Sequence, residues 1–108
     1  MSKYLFIESR DPLESRDCDS FLEIVQGVAA SGNSVTLFLI QNGVFPLRKD
    51  SRYHQKMLQL MKHKVQIKAD EFSLRERAIP SAPQGISVCS VDELVEGLLE
   101  PGMKAVWH

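Results

Sequence analysis

The chain has 108 residues, 44% of them hydrophobic and 25% charged, which is ordinary globular usage and excludes a disordered or fibrous chain. Its net charge of −1 is unevenly spread: residues 1–25 carry −3, residues 26–69 carry +6 and residues 70–108 carry −4. A balanced total argues against a dedicated nucleic-acid binder. A basic middle between acidic ends suits either a solvated helix face or contact with an acidic partner.

One domain over residues 1–108 is expected from the length. Tyr4–Ile7 is a short apolar run that reads as a buried strand, followed by a polar, Pro-bearing loop over Glu8–Asp17. Phe21, Leu22, Ile24, Val25, Val28 and Ala29 recur at helical spacing, with Asp17 or Asp19 as the expected cap and Gly32 as the expected left-handed stop. Val35–Ile40 is almost continuously apolar, the pattern of a strand covered on both faces, and Gln41-Asn42-Gly43 turns the chain at its end. Tyr53, Met57, Leu58, Leu60 and Met61 mark a second helix, Val65–Ile67 a third strand, and Asp70–Ala78 one or two helical turns. A fourth strand over Ile86–Cys89 leads into Ser90-Val91-Asp92-Glu93, the spacing of a capping box, and a helix through Leu99 that Pro101-Gly102 ends. Lys104–Trp107 is the last strand.

Strands alternating with helices imply a parallel sheet between helical layers, here a three-layer α/β/α domain with five mainly parallel strands. Leu5, Ile7, Leu37, Leu39, Val65, Ile67 and Val88 are the expected sheet core. No apolar run approaches the ~20 residues of a membrane span, and the apolar stretch near Met1 is too short for a signal-peptide core. With two cysteines that build no disulfide framework, the expected compartment is the cytoplasm.

Ligands of open parallel sheets sit beyond the carboxyl ends of the strands. Neither a G-x-G-x-x-G nor a Walker motif lies there, so no nucleotide or other cofactor is expected. Cys18, His54, His63, Cys89 and His108 show no metal-ligand spacing, so no metal site is expected either. Cys18, in the first turn of a helix beside a polar loop, is the candidate nucleophile and should be the more exposed thiol. The helix N-terminus lowers its pKa while Asp17 and Asp19 raise it, so the two effects nearly cancel. Cys89 ends a strand and is expected to be buried. Arg10, Asn42 and Gly43, at strand ends, are candidate binding residues for a small anion.

Tyr4–Leu13 (YLFIESRDPL), Thr36–Val44 (TLFLIQNGV) and Asp70–Ile79 (DEFSLRERAI) resemble the DsrE/DsrF/DsrH family. Gly85–Val88 and Val106-Trp107 look most like its DsrH/TusB branch. The resemblance spans nearly the whole chain. It implies a small α/β domain with a five-stranded parallel sheet, assembling as a homo-oligomer or with related subunits. It also implies sulfur trafficking: persulfide relay for tRNA thiolation, or sulfur oxidation, with a relay protein as partner; from the apolar run lengths and the charge balance, no direct contact to membrane or nucleic acid is expected. The DsrE branch carries its persulfide cysteine at the end of the third strand, where this chain reads Ile67-Lys68-Ala69-Asp70-Glu71. DsrH-type members can carry a cysteine in the first helix, about a turn beyond Cys18. The expected functions are thus a sulfur-relay subunit holding a persulfide on Cys18, a non-catalytic oligomeric scaffold, or a small-anion binding module.

Overall fold

A computed structural model describes residues 1–108. The chain runs β1 (Lys3–Glu8), α1 (Asp17–Ala30), β2 (Ser34–Leu39), a 3-10 segment (Gln41–Leu47), α2 (His54–Lys62), β3 (Val65–Asp70), α3 (Glu71–Glu76), β4 (Ser87–Cys89), α4 (Val91–Leu99) and β5 (Met103–Trp107). The strands form one five-stranded sheet in the order β4-β3-β2-β1-β5, and every neighbouring pair is parallel. This is the α/β architecture that the strand–helix alternation predicts.

Side chains alternate across a strand, so β1 and β2 feed two cores. Phe6, Leu37 and Leu39 point into the larger one, with Phe21, Leu22 and Val25 of α1, Met57 and Leu60 of α2, and Leu74 of α3. Leu5, Ile7, Phe38 and Ile40 point the other way, into a smaller core closed by Cys89 and Leu94. The layers are therefore unequal. The second face has a single helix, α4, which crosses from the β4 edge to the β5 edge. Of that helix only Leu94 is buried.

The expected core residues Leu5, Ile7, Leu37, Leu39, Val65 and Ile67 are all buried, but Val88 is 48% exposed. It lies on the short edge strand β4, which has a neighbour on one side only. Two expected caps are also not made. Arg16, not an aspartate, occupies the N-cap of α1, and Asp17 and Asp19 sit inside the first turn, where their charge still suits the dipole. Ser90 is the N-cap of α4, yet its side chain makes no capping bond. Glu93 reaches Lys68 at 3.2 Å rather than folding back onto the cap. The expected turn at Gln41-Asn42-Gly43 is the start of the longer 3-10 segment. Gly32 does take the left-handed conformation, with φ +89°.

Candidate functional site

The β1–β5 register decides what meets at one end of the sheet. Ile7 pairs with Trp107, so the next rung sets Glu8 beside His108. The backbone N–H of His108 donates to the Ile7 carbonyl at 2.8 Å, and Ser9 Oγ donates to the His108 carbonyl at 3.1 Å. His108 Nδ1 lies 2.9 and 3.1 Å from the two carboxylate oxygens of Glu8. Glu8 points to the same face as Phe6, the side covered by α1. Phe21 of that helix stacks on the imidazole, with centroids 4.8 Å apart and planes 19° apart.

The start of α1 supplies the third group. The polar loop after β1 folds back, with the Arg10 N–H donating to Glu8 Oε1 at 2.9 Å. Cys18, in the first helical turn, directs its thiol toward the Arg10 carbonyl at 3.7 Å. The thiol sulfur, a Glu8 oxygen and a His108 nitrogen all lie within 4.8 Å of one another. A carboxylate, a thiol and an imidazole thus converge at one end of the sheet, from β1, from α1 and from the residue after β5.

The thiol differs from its sequence expectation in two ways. Cys18 is fully buried and Cys89 is 8% exposed, so Cys18 is the less exposed of the two. The first turn of helix α1 faces inward, and the polar loop folds over the sulfur instead of leaving it open to solvent. The Cys18 thiol is pushed up to about 12, first by burial and then by the negative charge of Glu8; Ser15 and Arg10 oppose this only partly. The carboxylate that acts on it is Glu8, ten residues earlier, and not Asp17 or Asp19. Cys89 is pushed up to about 11, by burial and then by Glu93. At neutral pH both sulfurs are thiols, and the thiolate is the nucleophile.

The other candidates lie apart from this cluster or serve it from behind. Asn42 Oδ1 accepts from Arg77 Nε at 3.0 Å and lines a shallow cleft with Gln41, Asp70, Ser73 and Arg77 that includes neither Arg10 nor Gly43. Arg10 is exposed and contributes through its backbone. Gly43 is buried against β1: a Cβ there would overlap the Glu8 carbonyl oxygen. Asp70 stands at the end of β3, where the resemblance implies a persulfide cysteine in the DsrE branch. It caps α3 by accepting from Ser73 N at 3.0 Å and Ser73 Oγ at 2.6 Å.

Glu8 and His108 are the functional candidates that residue spacing does not reveal. They are 100 residues apart, and only the pairing of β1 with β5 joins them. The available signal was the family resemblance, which implies a sheet but not this rung. No helix is long and apolar enough to cross a membrane.

Comparison with known proteins agrees with this architecture. The YchN protein of E. coli superposes with a TM-score of 0.85 at 19% identity, with both chains fully covered. A protein of unknown function from Methanobacterium thermoautotrophicum gives 0.84 at 21%, again over both full chains. One from Bacteroides thetaiotaomicron gives 0.77 at 14%, over 98% of this chain and 95% of that one. No curated protein is detectably similar in sequence. The model of the DsrE/DsrF-like family matches residues 2–103. With that match over almost its whole length, on a sheet and helix order shared with these structures, the chain belongs to the DsrE/DsrF-like family.

Proposed function

We propose that the protein is an accessory, protein-binding subunit of a sulfur-trafficking system, assembled with copies of itself or with related subunits, rather than the subunit that carries the persulfide. The observation that carries this reading is the state of the two thiols: both are buried, and both are protonated at neutral pH. Persulfide transfer needs a thiolate that a partner's sulfur can reach. The absence of a cysteine at the end of β3 supports the same reading. So does the exposed apolar stripe of α4, Val91, Val95, Leu98 and Leu99, on the thinly covered face of the sheet. Placement in the DsrH/TusB branch and work in the cytoplasm belong to this proposal.

A second reading keeps Cys18 as the carrier. The proximity of Glu8 and His108 favours it, because either could take the thiol's proton. It requires the start of α1 to open. Mass spectrometry after incubation with a cysteine desulfurase and cysteine separates the two. The accessory reading expects no added sulfur on the folded protein, under conditions that load a known relay protein. An added sulfur that disappears in Cys18→Ser and persists in Cys89→Ser would overturn it in favour of the carrier.

A further inference from the structure

We propose that Glu8, Cys18 and His108 form a three-ligand site for a zinc-type divalent metal ion. The donors are of three kinds, one sulfur, one nitrogen and one oxygen, all within 4.8 Å of one another. That set suits zinc, which binds Cys, His and carboxylate together. Calcium and magnesium take oxygen ligands instead. Three protein ligands leave one tetrahedral position open, the pattern of zinc sites that keep a water or substrate position. Access is from the His108 side, since its side chain is 16% exposed while that of Glu8 is 4% exposed.

The geometry asks for small adjustments. Metal–ligand bonds of about 2.0–2.3 Å at tetrahedral angles put the ligand atoms roughly 3.3–3.6 Å apart. The Glu8–His108 contact of 2.9 Å has to widen slightly, and the widest separation in the trio, at most 4.8 Å, has to close. The ligands are already held by neighbours. Arg10 N–H fixes one Glu8 oxygen, the His108 backbone is tied to Ile7, and Phe21 sets the plane of the imidazole. Outer contacts of this kind orient metal ligands elsewhere.

Charge gives the second argument. A carboxylate that is 3% exposed and a thiol that is fully buried lie within 4.8 Å of each other, beside an imidazole that Phe21 covers. The Arg10 N–H and the His108 ring already bond the carboxylate, and a cation placed among the three groups compensates its charge together with that of a thiolate. When the ion binds, the metal–sulfur bond replaces the S–H bond and that proton passes to solvent, while the ring proton that Nδ1 donates to Glu8 exchanges to Nε2, so the imidazole binds the ion as a neutral ligand. Thiolate, carboxylate and neutral imidazole then carry −2, which the ion cancels. No electron changes hands. The inference is independent of the accessory-subunit reading, because a metal held by these three groups is compatible with a protein that carries no persulfide.

Cobalt(II) is the probe. The reduced, untagged and chelator-stripped full chain is titrated with Co2+ and then with Zn2+. The expected result is one equivalent of Co2+ with intense tetrahedral visible bands and a sulfur-to-cobalt charge-transfer band in the near ultraviolet, all abolished by one equivalent of Zn2+. Cys18→Ser removes the charge-transfer band, His108→Gln weakens binding at least tenfold, and Cys89→Ser changes nothing. If Cys18→Ser does not fold, His108→Gln decides together with the wild-type melting temperature, which must rise with Zn2+ because the ion binds the folded state. A weak octahedral cobalt spectrum, a charge-transfer band that depends on Cys89, His108→Gln binding as tightly as wild type, or a melting temperature indifferent to zinc would each overturn the site.

Discussion

Gly43 is a glycine for reasons of space. Its φ is not in the left-handed region, in contrast to Gly32, Gly85 and Gly102. The Glu8 carbonyl occupies the volume a Cβ would take, and it cannot easily withdraw, because it accepts the Ile40 N–H at 3.0 Å. Gly43 is itself tied to Ile40, its N–H donating to the Ile40 carbonyl at 2.9 Å. Gly43→Ala should therefore destabilise the fold by at least about 1–3 kcal/mol, the usual cost of overpacking. Urea denaturation measures it, and a change below about 0.5 kcal/mol would show that the two segments can part freely. The sequence marks Gly43 as a turn residue and a binding candidate. That it packs behind Glu8 was not legible, because nothing in the local pattern says which distant backbone a glycine will touch. The same holds for Cys18: its place in a first helical turn is readable, while the inward direction of that turn follows from how α1 lies on the sheet.

At the scale of elements, α4 is the exception to ordinary burial. Its apolar residues recur at Val91, Leu94, Val95, Leu98 and Leu99, the spacing of a core helix, yet Leu94 alone is buried and the others are 40–77% exposed. A helix with this pattern has more apolar surface than the sheet beneath it covers. The protein should accordingly sediment above its 12.2 kDa monomer mass at tens of micromolar. Leu98→Glu should shift it toward the monomer while leaving the circular dichroism unchanged, since the side chain is 40% exposed in the single chain. A wild-type protein that is monomeric at that concentration would defeat this. Any share of the association owed to the basic middle of the chain should fade by 1 M salt, where the Debye length is about 3 Å. The elements themselves were legible, because apolar periodicity reports strand and helix directly. Their caps were less so. Ser90 and Glu93 have the right spacing, but a lysine on β3 competes for the glutamate, and no sequence pattern shows such a competitor.

For the whole molecule, strand–helix alternation yields the parallel sheet and its two cores, but not the strand order. The sequence sets no rule that places the last strand beside the first rather than beyond β4, and the Glu8–His108 rung depends entirely on that choice. The placement also has a kinetic side. Lys3 pairs with Ser34 across 31 residues, and with Met103 across 100. Closing the longer loop costs about 1 kcal/mol more chain entropy than closing the shorter one. β5 can also reach its edge only after α4 has crossed the sheet from β4. The strand is therefore expected to dock late, after the folding transition state. Met103→Ala, which trims a side chain packed on the smaller core, should speed unfolding and leave the folding rate nearly unchanged in stopped-flow chevrons. A matching drop in the folding rate would place β5 in the nucleus instead. Late docking would mean that His108 meets Glu8 only in a chain whose sheet is already built, so that partly folded molecules, on the ribosome or after stress, would lack the rung altogether.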